Sequence, residues 1–176
     1  MLIFLISCKF NYEKIENLIE LKKFEKAEIQ INKKLNNSTD TSTNVNYYYL
    51  KGLLFYKKYN YSQAIYWFTK SLKYKDKLSN SKMLLNAYYY TAISYKYLYK
   101  RDSSINYLYQ TKKLAHSLND KKIYASALLN LSFLLGFPSN LDAIKYYNEA
   151  KLIADSLKDN VVNGNIHFLK ATEYSA

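Results

Sequence analysis

The chain has 176 residues, 49% of them hydrophobic, with 26 basic against 14 acidic side chains and a net charge of +12 at pH 7. That length can bury one sizeable core without staples, and that apolar fraction excludes a disordered chain. Three Gly and one Pro are too few to punctuate a strand-and-turn fold, so the composition points to an all-α protein. No run approaches the roughly eighteen apolar residues of a membrane span. The residues in excess, Lys, Asn, Tyr, Ile and Phe, all have AT-rich codons, which makes basicity weak evidence for a partner. One cysteine excludes an internal disulfide, and two distant histidines, His116 and His167, form no metal-ligand cluster, so no metal site and no cofactor are expected.

The chain begins "MLIFLISC". Leu5-Ile6-Ser7-Cys8 resembles the lipobox of bacterial lipoproteins, in which apolar and small residues precede a cysteine that is acylated after cleavage. The resemblance implies a signal over residues 1–8, a lipid on Cys8, and a protein anchored to a membrane of the bacterial envelope without spanning it. The alternative is a short apolar N-terminus packed on the first helix of a cytoplasmic protein. No Lys or Arg precedes the apolar stretch, which is shorter than the usual 7–15 or so residues.

A weakly patterned first helix is expected over residues 11–21. "FEKAEIQINKKL" (24–35) reads as its partner, with Ala27 and Ile31 as small and large core positions. "NNSTDTSTN" (36–44) reads as a polar loop that caps helices but builds none. In "YYYLKGLLFYKKYNYSQAIYWFTK" (47–70) the order is Tyr48, Lys51-Gly52 and Phe55, a turn at "KKYNY" (57–61), then Ala64 and Phe68. The same order recurs as Tyr88, Thr91-Ala92, Tyr95, Ser104 and Leu108. It recurs again as Leu128, Leu131-Ser132, Leu135, Ala143 and Tyr147. Gly52, Ala92 and Ser132 are forty residues apart, and "KDKLSN" (75–80), "AHSLND" (115–120) and "ADSLKD" (154–159) keep a third register. The last turn, "GFPSN" (136–140), holds the proline, and the spacing from Ser132 to Ala143 is 11 where the earlier ones are 12, so a tighter or irregular turn is expected there. Adding 39 to Leu128, Ser132 and Leu135 reaches His167, Ala171 and Tyr174, which predicts a final unpaired helix over 161–174.

A large aromatic, a small residue four on, a ring three further, then Ala and an aromatic four apart on the next helix: this resembles the tetratricopeptide repeat (TPR). Small residues let two antiparallel helices approach, and rings fill the gaps beside them. The period of about forty exceeds the usual 34 or so, and resembles the long TPR arrays in sensor portions of bacterial signalling regulators. The resemblance covers residues 10–176. It implies an α-solenoid of about four hairpins, over 10–38, 45–80, 85–120 and 124–159, plus the half-repeat 161–174, through which a homodimer could form.

Catalysis is not expected, because no phosphate loop, carboxylate pair or nucleophile elbow occurs. His167 stands where Tyr48 and Tyr88 stand, a packing position, and His116 falls beside a loop. The resemblance implies instead a protein or peptide scaffold whose first helices line a concave groove. In this numbering that groove takes Tyr49, Leu53, Tyr56 and Lys57, then Tyr89, Ile93, Lys96 and Tyr97. Rings and ammonium groups there suit an acidic peptide. The competing reading is nucleic-acid binding by the basic middle repeats. Residues 45–82 hold 8 basic and 1 acidic side chain and 83–121 hold 6 and 2, against 7 and 6 over 1–44 and 5 and 5 over 122–176. A basic face with stackable tyrosines can hold a single strand, although Lys70, Lys73, Lys75 and Lys77 fall where a solvated helix back and loop are expected.

Overall fold

The computed structural model describes residues 12–37 and 41–157. Within them the chain is all-α: α1 (12–20), α2 (Phe24–Asn36), α3 (Thr41–Lys57), α4 (Tyr61–Leu72), α5 (Ser81–Tyr97), α6 (Arg101–Ser117), α7 (Lys121–Leu135) and α8 (Leu141–Leu157), with a short 3-10 turn at Lys75–Lys77. No strand occurs among the described residues, and none of their helices is long and apolar enough to cross a membrane. Cys8, His167 and the helix expected over 161–174 lie outside the described residues.

The forty-residue register governs where helices start. α3, α5 and α7 begin at residues 41, 81 and 121, and α4, α6 and α8 at 61, 101 and 141. Local chemistry explains four of these six starts. Asn60, Asn80, Asp120 and Asn140 each accept a hydrogen bond on their side-chain oxygen from the backbone N–H three residues on, satisfying a donor that the helix start leaves open. Five helix ends are closed by a residue with left-handed backbone, while α2 and α4 run into right-handed Asn37 and Lys73. Lys22, Tyr59, Tyr99, Asn119 and Gly136 have φ of 56°, 59°, 57°, 53° and 93°. At Tyr59 the N–H donates to the Tyr56 carbonyl and the next N–H, of Asn60, to that of Phe55, the paired bonds of a Schellman turn.

Two expectations about loops need correction. Helix α3 starts at Thr41, inside the stretch expected as a loop. The buried Asn44 and Asn46 belong to it, and Asn46 accepts the backbone N–H of Ser79 at 3.0 Å; a tertiary partner holds polar residues in a helix that propensity disfavours. The turn after α7 is irregular, one of the two alternatives expected, but longer rather than tighter. The helix stops at Leu135, two residues before its register, where Gly136 takes the left-handed cap and Pro138 follows.

The chain divides into two compact units, one ending at Tyr99 and one beginning at Lys100. In the first, α3 packs against α2, α4 and α5 over a core of Ile15, Ile19, Ala27, Ile31, Leu50, Leu54, Ala64 and Phe68. A Cβ built on Gly52 would stand 2.6 Å from the Phe68 ring, which is the physical reason for a small residue there. In the second unit α7 packs against α6 and α8 around Leu128, Leu129, Tyr147, Ala150 and Ala154. Ala92 and Ser132, the counterparts of Gly52, are fully buried.

Candidate binding groove

Successive residues of α3 serve two different surroundings. Tyr48 and Lys51 meet α2 and α4, while Tyr49 reaches α1 and α5: its hydroxyl donates to Glu16 Oε1 at 3.2 Å and accepts from Asn86 Nδ2 at 3.3 Å. Around this three-residue chain lies a cavity of about 230 Å³, lined on one side by Tyr12, Glu13 and Glu16 and on the other by Ser79, Lys82, Met83 and Asn86. That volume is below the 300–1,000 Å³ or so of small-molecule sites and suits a single side chain or chain end.

Glu16 supplies the charge. Burial pushes its carboxyl above the usual range; the Tyr49 hydrogen bond opposes that, and the neighbouring Glu20 and Glu13 carboxylates add to it. Its sole hydrogen-bond donor among the described residues is Tyr49, and no ammonium group pairs with it. Tyr49 is itself raised well above the ordinary tyrosine value, by burial first and then by the Glu16 charge, so it remains a hydroxyl donor. A half-buried carboxylate with a spare acceptor can take an amide or ammonium donor from a ligand, which would relieve the cost of its burial.

The eight residues expected to line the groove are divided. Leu53 and Ile93 are 1% and 7% exposed and belong to the interior: the expectation that they face a ligand is corrected, because packing leaves them no free surface. The Tyr49 ring is equally buried, against Phe68, and the residue stands at the back of the cavity wall. Tyr56 packs on Tyr90 at 4.6 Å and on Tyr61 at 6.0 Å between centroids. Tyr97 stacks on Tyr61 at 4.5 Å, and Tyr89 meets Tyr90 at 5.6 Å. The structure thus joins Tyr56, Tyr89 and Tyr97 through Tyr61 and Tyr90. Burial, with neighbouring Glu20, Tyr89 and Glu16, holds Tyr90 up at about 12. Lys57 is ion-paired with Glu20 at 2.8 Å, which spends the charge expected to steer an acidic ligand. Lys96 is half-buried, and that burial lowers its ammonium pKa.

Glu16, Asn86 and Met83 were not among the expected residues. A signal for Glu16 exists: Ala27 and Ala64 are 37 residues apart, and stepping back 37 from Tyr49, Leu53 and Lys57 reaches Tyr12, Glu16 and Glu20.

The second unit has a larger cavity, about 510 Å³, with His116, Asp120, Tyr124, Glu149 and Ile153 in its wall. Three of its polar groups are already engaged: the Tyr124 hydroxyl donates to Glu149 at 2.8 Å, and Asp120 caps α7. Burial, then that bond to a carboxylate, pushes Tyr124 up to about 12. Among the described residues no group of three or more His, Cys, Asp or Glu side chains could hold a metal ion. The sequence matches no protein-family model, and no curated protein resembles it closely enough to count as a relative.

Proposed function

We propose that the chain is a non-catalytic, TPR-like interaction module that binds a peptide along the side of the first unit formed by α1, α3 and α5, and seats a donor-bearing group of that peptide against Glu16. The observation that carries this reading is the half-buried Glu16 carboxylate at the cavity, held by Tyr49 and in no salt bridge among the described residues, with Lys82 in the opposite wall. With Lys57 engaged by Glu20, a lysine, arginine or amino terminus fits the cavity better than the acidic ligand that composition suggests. The joined rings of Tyr56, Tyr90, Tyr61 and Tyr97 extend the surface with rigid apolar area at low entropic cost.

Selection from a random peptide library on the full chain tests this. The expected result is enrichment of Lys or Arg at one fixed position. Glu16→Gln, which keeps the acceptor for Tyr49 but removes the charge, should then weaken the selected peptides about tenfold or more, the range of a charge-assisted hydrogen bond. Acidic selected peptides, or equal affinity for wild type and Glu16→Gln, would defeat the reading.

A further inference from the structure

The face of the first unit that carries α2 and α4 has a second cluster, built on different side chains. Trp67, the single tryptophan of the chain, lies beside Tyr48 at 5.8 Å and perpendicular to Tyr66 at 5.0 Å between ring centroids. Two ammonium groups converge on it: Lys51 Nζ stands 4.3 Å from the centroid and Lys70 Nζ 5.2 Å, with Lys70 also 4.5 Å from the Tyr48 ring. Like charges brought together repel unless an anion sits with them. Burial, and the Lys70 charge with it, lowers the Lys51 pKa against the pull of Glu28. Glu28, the carboxylate that could have served, is ion-paired with Lys58 at 3.2 Å.

The donor count sharpens the point. Lys51 spends one N–H on Asn32 Oδ1 at 2.8 Å, leaving two. Lys70 makes ring contacts and no hydrogen bond or ion pair among the described residues, leaving three. An oxyanion with several acceptor oxygens would use them together. Beside the cations, Tyr66 is 54% exposed, so a flat ligand has a ring to rest on.

We propose that this cluster is a binding site for single-stranded nucleic acid, in which Lys51 and Lys70 hold a backbone phosphate and Tyr66 or Tyr48 stacks an unpaired base. Rings next to phosphate-binding lysines are useful only against bases that are not already stacked in a duplex. An anionic membrane surface would use the same lysines, so vesicles enter the test as the competing partner. The site shares no residue with the Glu16 cavity, so either reading can fail alone.

Trp67 reports on the site directly. The full chain is titrated with a twenty-nucleotide oligothymidylate at 50 mM salt while Trp67 emission is followed, in parallel with a duplex of equal length and with phosphatidylserine vesicles. Saturable quenching by the single strand is expected, at least tenfold tighter than by the duplex. The variant Lys51→Gln/Lys70→Gln should bind at least tenfold more weakly, and its salt slope should shrink by about 0.7, the value for one phosphate on a single strand. The control Lys113→Gln/Lys145→Gln, two exposed lysines of α6 and α8, removes the same charge and should change affinity less than twofold. Tyr66→Leu should cost about fivefold or more and leave the salt slope intact. Unchanged Trp67 emission at saturating oligonucleotide, equal losses in the lysine pair and its control, or binding to vesicles in place of the single strand would each overturn the proposal.

Discussion

Tyr59 and Tyr99 hold left-handed backbone at equivalent turns, forty residues apart, with 77% and 95% of their surface in solvent. A Cβ in that conformation costs about 1–2 kcal/mol, and side chains so exposed return little of it. Gly136 serves the same turn position after α7 without the cost. Replacing Tyr99 with Gly should therefore stabilise the protein by about 0.5–1 kcal/mol after the entropy glycine adds to the unfolded chain. Thermal melting would show this as a rise of roughly 1–4 °C, and a fall in midpoint would mean that Tyr99 makes contacts that outweigh its strain.

The pairing of α3 with α4 rests on one close approach. Alanine at Gly52 would gain about 1 kcal/mol of helix propensity, but its Cβ would lie within 2.8 Å of three Phe68 ring atoms. Overpacking of that kind costs roughly 1–3 kcal/mol and should win. Gly52→Ala is expected to lower the denaturant midpoint, and Phe68→Leu in the same chain should recover part of the loss, with a coupling of about 0.5 kcal/mol or more between two sites in contact. This contact was legible in the sequence, because a small residue recurring every forty positions has few explanations besides close helix packing. The register also located the helix starts. It could not separate groove from core on α3 and α5. Leu53 and Ile93 fall one residue after the small position, and which side of a helix a neighbour covers depends on the three helices around it. Glu16 stayed hidden because its own helix matches the repeat weakly and is offset by 37 residues. Asn44 looked like loop because what holds the start of its helix is distant: Asn46, two residues on, accepts the Ser79 N–H from more than thirty residues away.

Charge is unevenly spread over the chain, with 8 basic and 1 acidic side chain in residues 45–82. Two of those lysines, Lys57 and Lys58, are paired with Glu20 and Glu28 in partly exposed bridges, each worth about 0–1 kcal/mol. Self-repulsion among the remainder opposes compactness and is screened within about 10 Å at 0.1 M salt. Raising sodium chloride from about 20 to 300 mM, where screening tightens steeply, should thus raise the melting temperature of the full chain. A decrease would show that the ion pairs outweigh the repulsion.

The equal spacing of helix starts, at 41, 81 and 121 and at 61, 101 and 141, bears on how such a chain can change length. A forty-residue block excised between equivalent turns carries its own two helices, its left-handed closing residue and its cap. The new junction joins the same kinds of residue as the old one. Gene duplication or deletion in whole blocks therefore leaves local folding instructions intact, while a cut of any other length breaks a cap or buries a polar face. Length in this protein is a quantity that evolution can alter in steps of forty.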